Sequence, residues 1–316
     1  MSSERVVVVA DPIDKEALAR LQGGPCLVVD ASADPTSLAA HLEDAWGLIV
    51  RSRTKVTADL LSHAPRLELV ARAGVGVDNV DLAATAKRGI RVVNAPAAAT
   101  QSVAELAVTF YLLLVRGLPS SIAATKAGKW ERGTHGRELA GKTVGFVGYG
   151  RIAREVARRL VPFGARSIAF DPFVPASGDG TEMVPLETLF ARADIVSVHA
   201  ASTAENRHLL DARAFERMKP GAFLVNVARG ALVDEAALLA ALASGRLGGA
   251  ALDVFEVEPP MNRELLALPN VVPTPHLGAS THEAQARAGT DTVEEVLRAL
   301  RGEPLTALVT TPGGAR

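Results

Sequence analysis

A glycine-containing turn between a predicted strand and a predicted helix constrains the fold of this 316-residue chain more than any other feature. The apolar segment 143–147 runs into Gly148-x-Gly150-x-x-Ala153, and the helix-favouring segment 154–160 follows. Gly148 permits a tight turn, Gly150 lets the backbone approach a pyrophosphate, and Ala153 keeps the helix close to the strand. The N-terminus of such a helix offers free N–H groups to phosphate oxygens. The pattern therefore predicts a βαβ unit that binds a dinucleotide.

An acidic residue in the expected position supports this interpretation. Asp171 lies 21 positions after Gly150, directly after the predicted strand Ser167–Phe170. Its carboxylate can accept hydrogen bonds from both hydroxyls of an adenosine ribose and would repel a 2′-phosphate. We therefore expect NAD rather than NADP as the cofactor. The alternative is a glycine-rich turn in an ordinary α/β protein, in which Asp171 only begins a turn with Pro172.

Short β-branched segments alternate with helix-favouring segments along the whole chain. The predicted strands are Arg5–Ala10, Gly47–Val50, Leu67–Ala71, Arg91–Asn94, Thr143–Val147, Ser167–Phe170, Ile195–His199, Phe223–Asn226, Gly249–Leu252 and Val271–Pro273. This alternation predicts an α/β fold with doubly wound parallel sheets, and the chain length predicts two domains. Glycines, charged residues and histidines follow the strands, where open parallel sheets bind ligands. We expect these residues to face one cleft between the domains.

The composition excludes several classes of protein. Thirty-four basic and 35 acidic residues give a formal charge of −1, so nothing global favours binding to nucleic acid or to a membrane surface. The apolar segment Val103–Val115 is shorter than the roughly 20 residues that a membrane-spanning helix needs. The single cysteine, Cys26, cannot form an internal disulfide. We expect a soluble cytoplasmic protein without a metal site, because no residue spacing resembles a zinc site.

Two long helices are predicted beside the domain boundaries. Ser102 and Glu105 form a capping-box pattern that predicts a helix extending to Arg116. The segment 281–301 has a second long helical pattern. We expect these helices to connect the two domains.

An arginine, a carboxylate and a histidine lie in the segments that follow the last three predicted strands. Arg229 could bind a substrate carboxylate through two hydrogen bonds. His276 could exchange a proton with a carbinol hydroxyl near neutral pH, and Glu258 could fix the tautomer of that imidazole. Beside a nicotinamide, the trio would supply a proton as hydride reaches a carbonyl carbon. The alternatives are a surface-turn arginine, a solvated acid and a capping or packing histidine.

Three further segments carry candidate ligand groups. Arg51–Lys55 contains three cations directly after a strand, and it suits an anionic substrate group or is a solvated loop. Arg72-Ala-Gly74-Val-Gly76 lacks the small residue that closes a dinucleotide turn, so its glycines suit a carboxylate or form only a tight turn. His199 either lines the cofactor groove or completes the hydrogen bonding at a strand end.

Six segments that span nearly the whole chain carry a family resemblance. They are 48–56, 72–81, 148–153, 226–235, 251–256 and 275–281. In residues, order and spacing they resemble the D-2-hydroxyacid dehydrogenase family, and within it the phosphoglycerate dehydrogenase group. The resemblance implies reversible, NAD-dependent hydride transfer on a small D-2-hydroxy acid with a second anionic group. The first candidate substrate is 3-phosphoglycerate, which implies a role in amino-acid biosynthesis, specifically of serine.

The resemblance also implies residue roles. Arg229 would hold the carboxylate and carbonyl of the substrate, His276 would donate and accept the proton, and Glu258 would support His276. Asp253 would contact the nicotinamide carboxamide. The expected cofactor-binding residues are Val75, Gly148, Tyr149, Gly150, Arg151, Ile152, Asp171, His199, Ala200, Val227, Ala228, Arg229, Asp253, His276, Gly278 and Ala279. The expected substrate-binding residues are Arg51, Ser52, Arg72, Gly74, Val75, Gly76, Arg229 and His276, with Arg132 from a neighbouring subunit.

The family architecture implies a discontinuous substrate domain and a continuous cofactor domain. The substrate domain would comprise 1–97 and 282–316 with a flavodoxin-like fold. The cofactor domain would comprise 98–281 with a Rossmann fold, and it would form a homodimer.

The chain departs from the family pattern in two places. Ala98-Ala99 replaces a Gly-Asn pair whose asparagine would face the substrate. The loss of one oriented hydrogen bond, worth about 1 kcal/mol, would shift the substrate preference without abolishing the reaction. The chain also lacks the C-terminal regulatory domains of some phosphoglycerate dehydrogenases, so we expect no feedback inhibition by serine.

Two alternative functions follow from the same residues. A hydroxypyruvate or glyoxylate reductase would share the catalytic trio, but Asp171 disfavours NADPH and the cationic loop is unnecessary for a monoanionic substrate. A non-catalytic, NAD-sensing protein is the second alternative, because transcriptional co-repressors share this fold. The intact trio favours catalysis.

Overall fold

Two parallel sheets form the centres of two structural units in the computed structural model, which describes residues 5–130, 132 and 135–309. The first unit comprises Met1–Ala99 and Ala279–Arg316, and the second comprises Thr100–Gly278. The α/β class with two parallel-sheet domains, predicted from the sequence, is confirmed. The boundaries between the two units lie at 99/100 and 278/279. From the sequence we expected these boundaries at 97/98 and 281/282.

The first unit contains a five-stranded, fully parallel sheet in the order β2-β1-β3-β4-β5. Its strands are β1 (Val6–Val9), β2 (Leu27–Asp30), β3 (Ala45–Val50), β4 (Leu69–Arg72) and β5 (Arg91–Asn94). Its helices are α1 (Lys15–Gln22), α2 (Ala58–Ser62), α3 (Leu82–Lys87) and the C-terminal α11 (His282–Arg301). This strand order is the flavodoxin-like form of the doubly wound sheet.

The second unit contains a seven-stranded, fully parallel sheet in the order β12-β11-β10-β9-β6-β7-β8. Its strands are β6 (Thr143–Val147), β7 (Arg166–Phe170), β8 (Glu182–Met183), β9 (Ile195–Val198), β10 (Ala222–Asn226), β11 (Leu247–Leu252) and β12 (Val271–Pro273). Its helices are α4 (Thr100–Val115), α5 (Leu118–Lys126), α6 (Arg151–Leu160), α7 (Leu186–Arg192), α8 (Ala212–Arg217), α9 (Glu235–Ala243) and α10 (Arg263–Ala267). The order is that of a Rossmann sheet. From β6 the chain first adds β7 and β8 on one side and then adds β9 to β12 on the other side, and ligands bind beside this switch point.

Unbroken apolar segments form the central strands of both sheets. Every residue of β3 and of β6 is buried, as expected for parallel strands with helices on both faces. Helix α6 buries Ala153, Val156 and Leu160 against the sheet and directs its arginines outward. This packing fixes the first turn of α6 directly after β6, where the glycines lie.

The capping box predicted at Ser102 is wrong. Helix α4 begins at Thr100, so Ser102 lies inside the helix. Its Oγ donates to the carbonyl of Gly278 at 2.6 Å instead of capping a helix terminus. The hydroxyl therefore connects α4 to the loop that follows β12.

Within the described ranges, no single helix is long and apolar enough to cross a membrane, although α4 and α5, separated by a 69° bend, together meet that length and composition. In the same residues no group of three or more histidine, cysteine or acidic side chains could hold a metal ion.

Candidate active site

The sheet order brings the three predicted catalytic residues to one edge of the second unit. Strands β10, β11 and β12 are neighbours and run parallel, so their carboxyl ends share one edge of the sheet. Arg229 follows β10, Glu258 lies in the segment after β11, and His276 follows β12. Asp253 N–H donates to the Asn226 carbonyl at 3.0 Å, which extends the pairing of β10 with β11 into these loops.

Glu258 and His276 form a hydrogen-bonded pair. Nδ1 of His276 lies 2.9 Å from Oε2 of Glu258, and the other carboxylate oxygen accepts the N–H of Phe255 at 3.2 Å. The side chains are 52% and 39% exposed, so the pair is open to a ligand. No described protein group binds Nε2 of His276. With Nδ1–H donated to the carboxylate, Nε2 presents its lone pair for proton exchange.

The backbone of His276 has the left-handed conformation, with φ +54°. This conformation is uncommon for a residue with a side chain, and hydrogen bonds to Asp253 hold it. The carbonyl of Asp253 accepts the N–H of His276 at 2.9 Å. Its Oδ1 accepts Thr274 Oγ1 at 2.6 Å and Leu277 N–H at 2.7 Å, and its Oδ2 accepts Gly278 N–H at 2.8 Å.

Asp253 is tied to the loop that carries His276. The residue is only 1% exposed, and both carboxylate oxygens bind the 274–278 loop. The structure shows Asp253 supporting the histidine loop, while a contact with the nicotinamide carboxamide remains a prediction.

Buried Asn226 shapes the turn that presents Arg229. Its Nδ2 donates to the Arg229 carbonyl at 2.9 Å and its Oδ1 accepts Ala228 N–H at 3.0 Å. The Arg229 side chain is partly buried and donates to the Ala228 carbonyl at 2.7 Å. The next residue, Gly230, lies against the backbone of Phe255 so closely that a Cβ would overlap it. The arginine turn and the segment leading to Glu258 are therefore in direct contact.

The turn after β6 has the geometry that a pyrophosphate requires. Gly148 has φ +88°, and a Cβ there would lie 2.6 Å from the N atom of Ala200. A Cβ at Gly150 would have no atom within 4 Å, so the backbone is open at this point. No side chain caps the N-terminus of α6, which leaves its N–H groups for phosphate oxygens. These features fit NAD.

Asp171 lies at the end of β7, as predicted. Its Oδ2 accepts the N–H of Tyr149 at 2.8 Å, and its Oδ1 accepts the N–H of Phe173 at 2.9 Å. The carboxylate is therefore attached to the glycine turn itself. Since each carboxylate oxygen has two acceptor sites, capacity remains for ribose hydroxyls.

His199 turns its side chain into the interior. Its Nε2 lies 2.8 Å from Ser197 Oγ, which also accepts Tyr111 Oη–H at 2.6 Å. Burial lowers the pKa of His199 to about 3, so the ring is neutral. Only the main chain of His199 and Ala200 lies against Gly148, and any cofactor contact of His199 is accordingly predicted for its backbone.

The loops of the first unit that were expected to bind substrate are held by their own hydrogen bonds. Gly74 has φ +150°, and the Arg72 guanidinium lies so close that a Cβ on Gly74 would overlap it. Asn94 Nδ2 donates to the Val75 carbonyl at 2.6 Å. The glycines thus form a tight turn with a guanidinium packed on it.

Buried Asp11 organises the 51–54 loop. It accepts the N–H groups of Arg51 at 2.6 Å and Thr54 at 3.1 Å, Thr54 Oγ1 at 2.6 Å and Arg53 Nε at 3.1 Å. Burial raises the pKa of Asp11, but these hydrogen bonds outweigh it and hold the pKa below its usual value. Arg53 also donates to two carbonyls, so it is a structural residue and Arg51 is the better candidate for anion binding.

The expected site residues divide between the two units. The first unit contains Arg51, Ser52, Arg72, Gly74, Val75, Gly76 and Ala279. The second contains the catalytic trio, the glycine turn, Asp171 and Arg132, which is exposed. In the first unit Ala98 and Ala99 are 1% and 4% exposed, and Ala98 packs with Ala95 and Ala288.

Sequence reasoning missed three polar residues that shape these loops: Asp11, Asn79 and Asn226. Asn79 Nδ2 donates to the carbonyls of Arg51 and Thr54 at 2.7 and 2.6 Å. Asp11 and Asn226 were detectable in principle, because each lies at the carboxyl end of a strand, as Asp171 does. The role of Asn79 had no local signal.

A Rossmann unit with an open glycine turn, an acid at the end of the following strand and an acid-supported histidine defines an NAD-dependent oxidoreductase. Residues 108–278 match the family model described as the NAD binding domain of D-isomer specific 2-hydroxyacid dehydrogenases. The chain belongs to this family, and the predicted family, enzyme class and cofactor are confirmed.

Individual relatives differ in length and name. The chain is 43% identical to a hydroxypyruvate reductase of Thermotoga maritima over 299 residues, which are 93% of this chain and 98% of that protein. It is 44% identical to human D-3-phosphoglycerate dehydrogenase over 310 residues, 96% of this chain but only 58% of the relative. The structure of D-lactate dehydrogenase from Aquifex aeolicus, complexed with NAD and lactic acid, matches with a TM-score of 0.85 at 29% identity, covering 98% of this chain and 100% of that one.

Proposed function

We propose that this dehydrogenase acts on a small D-2-hydroxy acid that carries a second anionic group, with 3-phosphoglycerate as the first candidate. The observation that carries the proposal is the His276–Glu258 pair, with its 2.9 Å hydrogen bond and the second imidazole nitrogen open to a ligand. The cationic loops at Arg51 and Arg72 support a dianionic substrate, because a guanidinium binds carboxylate or phosphate through two hydrogen bonds.

The residues have separate tasks in the reaction. Arg229 binds the substrate carboxylate and orients the carbon that reacts. Nε2 of His276 takes the hydroxyl proton during oxidation and returns it to the carbonyl oxygen during reduction. Glu258 accepts Nδ1–H and stabilises the imidazolium by its negative charge. NAD, when bound, would supply the acceptor for the hydride on the substrate C2. The glycine turn would hold its pyrophosphate, and Asp171 would hold its adenosine ribose.

Reduction of hydroxypyruvate or glyoxylate is the second candidate function. Two observations favour it: Ala98-Ala99 offers no polar side chain at the position of the family asparagine, and the Thermotoga hydroxypyruvate reductase matches this chain over almost its whole length. Asp171 favours NAD over NADPH, and the cations at 51 and 72 favour a dianionic substrate, so both support the first candidate.

Steady-state rates with matched substrate pairs distinguish these candidates. The proposal expects kcat/KM for 3-phosphoglycerate to exceed that for glycerate by at least about 100-fold, since a charge-assisted hydrogen bond contributes roughly 1.5–3 kcal/mol and two are expected. Arg51→Ala should remove most of this preference. Equal rates, or faster reduction of hydroxypyruvate, would contradict the phosphorylated substrate. Tight NAD binding without turnover of any 2-hydroxy acid would favour the NAD-sensing alternative.

We further propose a cytoplasmic homodimer that forms through the cofactor domains and acts in serine biosynthesis. Helix α5 buries none of its residues within the described chain. Leu118, Ile122 and Trp130 are 36%, 47% and 78% exposed, an apolar surface that a second copy would cover. Light scattering should give twice the mass of 33.0 kDa, and Ile122→Glu should give the monomer. A monomeric native protein would contradict this proposal.

A further inference from the structure

We propose that Tyr149 is a positioning residue for the adenosine half of NAD, because it fixes both ends of the segment that begins with Asp171. This segment, 171–181, connects β7 to β8. The inference rests on the proposed role of Asp171 in binding the adenosine ribose, and it extends that role to a residue that the glycine pattern leaves unspecified.

One residue contacts both ends of the 171–181 segment. At the start, the N–H of Tyr149 donates to Asp171 Oδ2 at 2.8 Å. At the end, Tyr149 Oη lies 2.9 Å from Asp179 Oδ2 and 2.6 Å from Thr181 Oγ1. Since a carboxylate only accepts, the tyrosine hydroxyl donates to Asp179 and accepts from Thr181. The backbone N–H and the side-chain hydroxyl of Tyr149 thus both hold this segment.

The tyrosine side chain is itself held rigidly. Tyr149 is 0% exposed and its ring packs against Phe146, with ring centroids 5.9 Å apart. The guanidinium of Arg154 covers the other side, 4.7 Å from the ring centroid, and it pairs with Asp179 at 3.6 Å. Arg154 also donates to the Ser177 carbonyl. The segment is therefore fastened at its start, its middle and its end to the turn and helix expected to bind the pyrophosphate.

This arrangement has a consequence for cofactor selection. Asp171 discriminates NAD from NADP only if its carboxylate stays where the ribose hydroxyls or a 2′-phosphate must lie. The segment leaves the sheet at this point, and Phe173 is 90% exposed, so its ring does not anchor the segment. The hydroxyl of Tyr149 anchors the far end, at Asp179 and Thr181. Its removal should weaken adenosine binding and narrow the preference for NAD while leaving the chemistry at His276 intact.

Tyr149→Phe tests the inference, with Tyr111→Phe as the matched control. Both tyrosine rings are 0% exposed in the same unit, but Tyr111 bonds to Ser197 and not to the 171–181 segment. The measurements are the dissociation constants of NAD and of ADP-ribose, which lacks the nicotinamide, together with kcat at saturating NAD. Each is repeated in the background of Asp171→Ala. Thr181→Val removes one of the two hydrogen bonds of this hydroxyl from the other side, should Tyr149→Phe fold poorly.

We expect Tyr149→Phe to weaken NAD and ADP-ribose equally, by roughly ten-fold or more, with kcat unchanged. The lost hydroxyl makes two hydrogen bonds, and one of them is to the charged carboxylate of Asp179. In the Asp171→Ala background the same substitution should have less than about a two-fold effect, because coupled residues are not additive. Tyr111→Phe should change neither constant.

Unchanged ADP-ribose binding in Tyr149→Phe and Thr181→Val, or an undiminished effect without Asp171, would overturn the inference. If Asp171→Ala weakens NAD and Tyr149→Phe does not, only this inference fails. If Asp171→Ala itself leaves NAD binding unchanged, the proposed role of Asp171 fails, and the inference fails with it.

Discussion

Nδ1 of His276 lies 2.9 Å from Oε2 of Glu258, although the two residues are 18 positions apart in the chain. The contact exists because β11 and β12 are neighbours whose carboxyl ends share one edge of the sheet. It fixes the tautomer of the imidazole and leaves Nε2 for the substrate.

Glu258→Gln should lower kcat/KM by about 10- to 100-fold, because a hydrogen bond to a charged group is worth roughly 1.5–3 kcal/mol. The dissociation constant of NAD should stay the same, since the substitution leaves the glycine turn and Asp171 untouched. Steady-state kinetics and calorimetry measure the two quantities. Glu264→Gln, at an exposed position of α10, is the control. Full activity in Glu258→Gln would show that the carboxylate does not support His276.

Gly230→Ala should nearly abolish turnover. A Cβ at this position would overlap the backbone of Phe255, so the Arg229 turn and the segment leading to Glu258 must separate. Overpacking of this kind costs about 1–3 kcal/mol of stability, which urea unfolding measures. Gly23→Ala, at a position with φ −81° where a Cβ would make only ordinary contacts at 3.7 Å, controls for the loss of a glycine elsewhere. Normal kcat with normal stability would contradict the close contact.

Protonation of His199 should destabilise the protein at mildly acidic pH. Burial lowers the pKa of this side chain to about 3, whereas an unfolded histidine has a pKa of about 6.5. The unfolded state therefore binds a proton that the folded state excludes. The associated stability is complete above pH 6.5 and is lost as the pH falls through the window from about 6.5 to 3.

Urea unfolding at two pH values tests this linkage. Between pH 7.5 and pH 5.5 the native protein should lose about 1.4 kcal/mol more of its unfolding free energy than a His199→Asn variant does. Most carboxylates titrate below this window, so they contribute little to the difference. Identical losses in the two proteins would mean that His199 is protonated normally in the folded state.

The sequence contained enough information for the central strands of both sheets and for the positions of the predicted catalytic residues in the chain. The spacing of the glycines predicted the turn at Gly148. The unbroken apolar segments predicted the strands, and so placed Arg229, Glu258 and His276 in the segments that follow them. The edge strand Leu27–Asp30 was not predicted, because Leu27 is 51% exposed and lacks the burial of a central strand. An edge strand depends on pairing with β1, which local composition does not reveal.

The details of the loops depend on contacts between distant residues. Arg53 resembles a substrate-binding cation in the sequence, but Asp11, 42 positions away, engages it. The family resemblance gives Asp253 only a role as a cofactor ligand, and it does not show that the carboxylate accepts the N–H groups of residues 277 and 278. Each of these contacts joins two loops that become neighbours only when the strands before them pair in the sheet. Neither residue type nor spacing along the chain could therefore specify it.

The rate of hydride transfer in His276→Asn is the measurement that bears most directly on the proposed catalysis. Stopped-flow formation of NADH, with NAD and the hydroxy acid saturating, isolates this step from product release. We predict that the rate of hydride transfer decreases by about 10²- to 10⁴-fold, the usual contribution of general acid–base catalysis. The dissociation constant of NAD should stay unchanged. A rate within a factor of three of the native protein, with NAD bound normally, would show that His276 does not carry the proton.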